Sequence, residues 1–397
     1  MDAKLNIIAD AHIWAVESAF SELPGFDVDL TVLENRLITP DAVRHADVLL
    51  TRSSTRVDAD LLEGSSIRFA GTATIGDDHY DKAWLDAHHV TWANAAGSST
   101  DSVIEYMITA LLELHARGLI HIPDTTIGII GVGRIGSKLA WLCEAMGMTV
   151  LRNDPPRARS EGAESADEFV SLDHVLKHSD LLTLHTPLIR DGEDCTVQLL
   201  GRAQFSAFTG RGIINAGRGA CVDNIALADW LDGDATRFAV LDCWEREPRP
   251  DHRLLSHPGM VISTPHIAGH SIDGKAANTF FIYKALLAYL HIDSTKNDPV
   301  WDMHDHLPAP ALAHTISAHG NPWQQLHAAT NWLYPLNEDD ETMKSWPDLT
   351  HSELPNAFTG YRRHYPVRRS WQYAPICFAH ADVATLRLAQ AIGIKTV

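Results

Sequence analysis

The sequence predicts an α/β protein: two doubly wound parallel-sheet lobes, then a smaller α+β segment. Three observations carry that expectation. Short apolar runs alternate with helical stretches from residue 1 to about 98, and again from Thr125 to Gly269, as in repeated β–α–β units. A glycine-rich turn, Gly131-x-Gly133-x-x-Gly136, opens the second series. After about residue 311 the chain becomes rich in Trp, Pro and Arg, and the alternation stops.

In the first series, strands are expected at Leu5–Ala9, Val28–Val32, Val48–Arg52, Arg68–Thr72 and Val90–Ala93. A helix follows over Asp101–Ala116, with Val103, Ile104, Met107, Ala110, Leu111 and Leu114 at helical spacing. Ser102 and Glu105 stand at the spacing of a capping box, and this helix is expected to bridge the lobes. The segment TIGIIGVGRIGSKLAWLCEAMGMTVLRND, residues 126–154, then reads as strand, glycine turn, helix and a second strand ending in an acid. Further buried strands are expected at Leu181–Thr186, Gly212–Ala216, Phe238–Cys243 and Val261–Thr264. A helix over Gly274–Leu290 can return the chain to the first lobe, and the Asp-, His- and Pro-rich stretch Asp293–Pro310 reads as a linker. The expected domains are thus 1–100 with 274–295, 101–273, a linker over 296–310, and 311–397.

Composition narrows the function classes. A length of 397 residues suffices for two or three domains with their own cores. The net charge of −19 is spread along the chain, which argues against nucleic acid as a partner, because phosphate backbones need a basic stripe. No apolar run approaches a membrane span and no signal-like N-terminus is present, so a cytoplasmic protein is expected. The cysteines Cys143, Cys195, Cys221, Cys243 and Cys377 are scattered, which suits reduced thiols. No histidine group has metal-ligand spacing, and no metal is expected.

The glycine turn carries the first chemistry. Gly131 permits a tight turn, Gly133 lets backbone approach a pyrophosphate, and Gly136 lets the helix pack closely on the strand. The helix then offers unpaired N–H groups and a positive dipole end to phosphate. Asp154, 18 positions beyond Gly136, stands where an acceptor for a ribose 2′-hydroxyl belongs. An acid there repels a 2′-phosphate and favours NAD over NADP, although Arg152, Arg157 and Arg159 lie nearby.

Ligands of open α/β sheets bind at the carboxyl ends of the strands. Thr186, Arg218, Asp242 and His266 each stand at or just beyond the carboxyl end of an expected strand. Hydride transfer from a secondary alcohol needs a base for the hydroxyl proton and a cation for the neighbouring carboxylate. His266 suits the first role and Arg218, with its planar fork, the second. Glu247 in WEREP can bond the other imidazole nitrogen and favour its charged form.

The segments INAGRGACVDNIAL, VLDCWEREP and TPHIAG resemble the three signature blocks of the NAD-dependent D-2-hydroxyacid dehydrogenases. The resemblance continues through DVLLTRSSTRV, RFAGTATIGDDH and HIAGHSIDGKA, and into FTGYRRHYPVRRSW, a C-terminal extension that most relatives lack. It implies a flavodoxin-like substrate lobe, a Rossmann NAD lobe and a C-terminal dimerisation domain making a homodimer. It implies Arg218, Glu247 and His266 as catalytic residues. Cofactor contacts would be Gly131, Gly133, Arg134, Ile135, Gly136, Asp154, Thr186, Ala216, Gly217, Arg218, Asp242 and Gly269. Substrate contacts would be Ser53, Thr74, Arg218 and His270, the last standing where the family has a tyrosine. The implied substrate is a small phosphorylated 2-hydroxy acid. Arg52 and Arg56 are candidates for offsetting the negative field near it, and one of Arg362, Arg363, Arg368 and Arg369 for reaching a partner's site across the dimer. Two other readings stay open: an enzyme for phosphoglycerate, glyoxylate or hydroxypyruvate, and an NAD-sensing binding protein without turnover.

Overall fold

In the first lobe every strand is parallel. The computed structural model describes residues 3–162, 168–293 and 301–397. The chain divides into two units, 1–99 with 271–309 and 100–270 with 310–397. Strands β1 (Ala3–Asp10), β2 (Phe26–Leu33), β3 (Val48–Thr51), β4 (Phe69–Thr72) and β5 (Thr91–Asn94) form the first sheet in the order β2-β1-β3-β4-β5. This is the flavodoxin-like order, with its switch point between β1 and β3. The helix Ile272–Tyr289 covers one face, where Ile282, Tyr283 and Leu286 join Ile7, Leu50 and Phe69 in one core. Leu49, Ala70, Leu62 and Leu85 build the core of the other face.

The second unit holds β6 (Thr126–Ile130), β7 (Thr149–Asn153), β8 (Leu181–Leu184), β9 (Gly212–Asn215), β10 (Phe238–Leu241) and β11 (Met260–Ser263). All are parallel, in the order β11-β10-β9-β8-β6-β7. The switch point lies between β6 and β8, so the turns after these two strands flank the crevice where ligands of such sheets bind. Beyond β7, Val170 donates its N–H to Arg152 O at 2.8 Å, extending the edge without a further strand there among the described residues.

Residues 310–397 belong to this unit and share both of its cores. They form the helices Pro322–Leu333, Leu336–Lys344, Leu354–Arg363 and Val383–Ala391, with a parallel pair, β12 (His314–Ile316) and β13 (Ile376–Phe378). Leu326, Tyr334 and Trp371 pack with Met107, Leu111 and Ile214 on one side of the sheet. Met343, Leu354 and Phe358 pack with Trp244 and Met260 on the other. Of the linker expected over 296–310, residues 296–300 lie outside the described residues. Trp301 donates its backbone N–H to Tyr283 Oη at 3.1 Å and its indole N–H to Ser18 Oγ at 3.2 Å, and it stacks on His306.

One local expectation is corrected. The helix Thr100–Ala116 starts ahead of Ser102, so Ser102 and Glu105 lie inside it and are buried rather than forming a capping box. Glu105 instead accepts hydrogen bonds from Arg368 and from the Trp371 N–H, the latter at 2.8 Å. The helix also lies wholly in the second unit. No helix among the described residues is long and apolar enough to cross a membrane.

Near the end of that helix, Glu113 accepts from Arg117 at 2.7 Å and bonds His327 Nε2 at 2.6 Å, tying it to the helix Pro322–Leu333. The hydrogen bond with His327, together with Arg117, outweighs burial and pulls the carboxyl down to about 2. A carboxylate held below its unfolded value stabilises the fold above that value, and the gain fades as pH falls through the folded one. Glu113→Gln should therefore lower the unfolding free energy by about 1–2 kcal/mol at pH 7. In urea denaturation the deficit should shrink as pH falls from 4.5 towards 2.

Candidate active site

All six strands of the second sheet end on the same edge, and each end delivers a residue singled out above. After β6 the chain turns at Gly131, φ +86°, where a Cβ would stand 2.7 Å from the Thr186 amide nitrogen that follows β8. The turns on either side of the switch point thus touch through a glycine. Gly133 has nothing within 4 Å of a Cβ position, whereas at Gly136 that atom would meet the Gly131 carbonyl oxygen at 2.2 Å. The open side of Gly133 leaves backbone accessible at the start of the helix Arg134–Ala145, which has no side-chain cap. These features fit a pyrophosphate at the helix N-terminus.

Asp154 follows β7 and organises this corner. It accepts from the Val132 N–H at 2.8 Å and the Arg157 N–H at 3.1 Å, capping the helix Pro155–Glu161. Beside it lies an open cleft of about 390 Å³ lined by Asn153, Asp154, Pro155, Phe169 and Ser171, among others. The three nearby arginines are each engaged by acids. Arg152 pairs with Glu144 at 2.7 Å, Arg157 with Glu161 at 2.6 Å, and Arg159 with Asp194 at 2.5 Å. Their charge is offset locally, which leaves Asp154 to set the sign of the ribose corner and favours NAD.

The opposite half carries the reactive groups. Asn215, fully buried at the end of β9, accepts the Gly217 N–H at 3.1 Å and donates to the Arg218 carbonyl at 3.1 Å. It braces the Ala216–Arg218 turn. Gly219 has no room for a side chain, since a Cβ would stand 1.9 Å from Trp244 O. Arg218 Nη1 donates to the Gly217 carbonyl at 3.0 Å, with the guanidinium half-buried.

Beyond β10, Asp242 is 1% exposed and binds the next turn with three bonds. It accepts from Thr264 Oγ1 at 2.8 Å, the Ile267 N–H at 2.7 Å and the Ala268 N–H at 3.0 Å. Burial nonetheless raises its carboxyl, with His266 and these donors opposing the shift. Between those residues, His266 adopts φ +55° and donates its own N–H to Asp242 O at 2.7 Å. Its Nδ1 meets Glu247 Oε2 at 2.7 Å, while Glu247 Oε1 accepts the Trp244 N–H at 2.8 Å. For Glu247, burial pushes upward, but His266, Arg362 and the Trp244 N–H together hold the carboxyl below its ordinary range. A carboxylate on Nδ1 keeps the hydrogen there and leaves Nε2 to exchange a proton.

Cys243 Sγ lies with the Glu247 and His266 donor atoms, all within 4.8 Å of one another. Its thiol donates to Gly217 O at 3.2 Å, and burial pushes its ionisation well up, so it enters the site as a neutral thiol.

The structure thus brings together the expected Arg218, Asp242, Glu247 and His266 with the glycine turn in one unit. His270 is there too, its ring edge-on to Tyr365 at 5.8 Å. Gly269 precedes it, half-buried. Ser53 and Thr74 belong to the other unit, following the adjacent strands β3 and β4. Ser53 is exposed, and Thr74 Oγ1 donates to Gly76 O at 2.9 Å. Arg52 donates to His12 O at 3.1 Å and Arg56 pairs with Asp58 at 2.6 Å. Sequence reasoning missed Asn215, Gly219 and Cys243, although all three lie inside the quoted signature blocks. Two intrachain contacts were also not foreseen: Arg362 Nε donates to His266 O at 3.2 Å, and Arg368 pairs with Glu105.

Comparison with known proteins agrees with this geometry. The family described as D-isomer specific 2-hydroxyacid dehydrogenase, NAD binding domain, matches residues 112–268. An erythronate-4-phosphate dehydrogenase of Chromohalobacter salexigens is 39% identical over 92% of this chain and 92% of its own length. One from Marinobacter nauticus is 37% identical over 98% of this chain and 99% of its own. Among solved structures, the TT0316 protein of Thermus thermophilus matches with a TM-score of 0.60 at 25% identity, covering 74% of this chain and 99% of its own. D-lactate dehydrogenase from Aquifex aeolicus shares the fold with a TM-score of 0.60, at 20% identity over 75% of this chain and 100% of its own. The shared fold therefore leaves about a quarter of this chain uncovered, while the curated relatives match nearly all of it. This chain belongs to the erythronate-4-phosphate dehydrogenase family, within the D-isomer specific 2-hydroxyacid dehydrogenases.

Proposed function

We propose that the protein oxidises 4-phospho-D-erythronate at C2 to 2-oxo-3-hydroxy-4-phosphobutanoate, in the cytoplasm, as a step of pyridoxal 5′-phosphate biosynthesis. The observation that carries the chemistry is the 2.7 Å bond between His266 Nδ1 and Glu247 Oε2, set on the strand ends of a dinucleotide-type sheet. NAD, when bound, supplies the hydride acceptor. Gly131, Gly133, Arg134, Ile135 and Gly136 would hold its pyrophosphate, and Asp154 the adenosine ribose. Thr186, Ala216, Gly217, Arg218, Asp242 and Gly269 would line the remainder.

His266 Nε2 removes the hydroxyl proton, and the charge that develops on the ring is stabilised by Glu247 through Nδ1. Arg218 binds the substrate carboxylate and polarises the oxygen that becomes the carbonyl. Ser53, Thr74 and His270 complete the substrate contacts, with the His270 ring in place of a phenol. The protein works as a homodimer through residues 311–397. Of the ten exposed large apolar side chains among the described residues, Leu312, Trp332, Val367, Val383 and Val397 fall in this segment, which supports a partner surface there.

Three measurements check this reading. His266→Ala should lower kcat by about 10²–10⁴-fold, and Glu247→Gln by about tenfold or more, with NADH affinity by fluorescence titration nearly unchanged. Wild-type turnover in either variant would remove the assigned roles. NADH absorbance assays should give a kcat/KM for erythronate 4-phosphate at least about 10²-fold above that for unphosphorylated erythronate, 3-phosphoglycerate or glyoxylate. NADH binding without turnover of any 2-hydroxy acid would instead favour the NAD-sensing reading. Light scattering should give twice the 43.8 kDa chain mass, and Val383→Asp with Val367→Asp should shift it towards one chain.

A further inference from the structure

His266 holds a backbone conformation that a histidine does not favour. Its φ of +55° lies in the left-handed region, which a side-chain-bearing residue adopts only at an energetic cost. Such a conformation persists only where its surroundings over-determine it. On its N-terminal side the restraint is the His266 N–H to Asp242 O bond of 2.7 Å. On its C-terminal side Asp242 holds the Ile267 and Ala268 N–H groups. The His266 carbonyl itself accepts from Arg362 Nε at 3.2 Å, across 96 positions of sequence.

Arg362 is held for that contact. It lies near the end of the helix Leu354–Arg363, whose Phe358 is fully buried in the core that also contains Trp244. The Arg362 guanidinium carbon sits 5.9 Å from the Phe358 ring centroid. Tyr361 and Tyr365, on either side in sequence, both donate to Asp339, at 2.6 Å and 2.9 Å. The helix end is therefore pinned, and Arg362 is half-buried where it meets the loop. Its charge acts on Glu247 and on Cys243, alongside Arg218, Asp242 and His266.

We propose that Arg362 is a positioning residue for the catalytic pair: from the C-terminal segment it fixes the left-handed backbone of His266 and sets a positive charge beside Glu247. This inference rests on the dehydrogenase reading above, because its readouts are kinetic. Without Arg362, the His266 carbonyl loses its donor and the imidazole loses part of its fixed orientation. Glu247 also loses a neighbouring cation that helps hold its carboxyl low.

Arg362→Met keeps the aliphatic stem over Phe358 and removes the fork, and Arg362→Lys restores the charge. With wild-type enzyme turning over erythronate 4-phosphate, Arg362→Met should lower kcat by about tenfold or more. The acid limb of its kcat profile should move up by about half a pH unit or more. NADH affinity should stay within twofold, and Arg362→Lys should recover the pH shift and part of kcat. An Arg362→Met enzyme with wild-type kcat and pH profile would overturn the proposal, as would a defect confined to KM for the phosphorylated substrate. A variant whose only change is a lower melting temperature would also overturn it. Absence of turnover in the wild type is a separate result, and it counts against the proposed function rather than against Arg362.

Discussion

The buried carboxylate of Asp242 is the constraint on which the reactive half of the site depends. One side chain ties the end of β10 to the turn after β11 through the Thr264 hydroxyl and two consecutive amides. Burying a carboxylate is unfavourable unless its oxygens are hydrogen-bonded, and here they accept from one hydroxyl and two amides of a tight turn. Tyr106, from the long buried helix, meets the Thr264 hydroxyl at 3.0 Å, and Trp244 donates its indole N–H to Thr264 O at 2.9 Å. Each of these contacts bears on the turn that carries His266. Together they decide where the His266 ring stands, and hence whether Glu247 can reach it.

Charge is arranged on the same principle of local specification within an unfavourable whole. A chain with net charge −19 repels an anionic substrate at long range. At the reactive end a cation offsets an acid: the Arg362 guanidinium is among the charges that hold the Glu247 carboxyl below its ordinary range. At the other end of the sheet the arrangement is inverted. Arg152, Arg157 and Arg159 are all paired with acids, so three cations beside the ribose corner do not convert it into a 2′-phosphate site. A count of basic residues near Asp154 could not distinguish these cases. The identity of each arginine's partner does.

Much of the frame was legible from residue order because β–α–β repetition and strand-end chemistry are local in sequence. The expected strands β3, β4, β8, β9 and β10 fall within two residues of the observed ones, since their apolar runs are buried on both faces and stop where the turn chemistry begins. Glu247 and His266 lie only 19 positions apart, so two signature blocks sufficed to pair them. The capping box at Ser102 and Glu105 failed for a non-local reason. Pattern alone does not reveal that an acid three residues after a serine is needed by Arg368, 263 positions away. The Arg362 contact was out of reach on the same grounds: four arginines crowd residues 362–369, and only packing separates one that meets the His266 carbonyl from one that pairs with a buried glutamate.

That difference explains what an extension can do for an old scaffold. The solved relatives with this fold cover about three quarters of the chain, so the shared architecture builds without the remainder. An added segment that merely offered an apolar surface would need no polar connection to the turn after β11. Here Arg362 meets the His266 carbonyl, Arg368 approaches the His270 carbonyl at 3.5 Å, and the Tyr365 ring stands against His270. Asp340 accepts the Ser263 N–H at 2.8 Å at the end of β11 itself. Four residues spread over the helices and loop between 336 and 368 thus converge on one short stretch, 263–270. Such a stretch is loop by geometry, but its backbone groups are held from outside by side chains anchored in two cores. Support of that kind fixes the backbone from which the His266 ring projects, and it couples the order of the extension to the geometry of the loop.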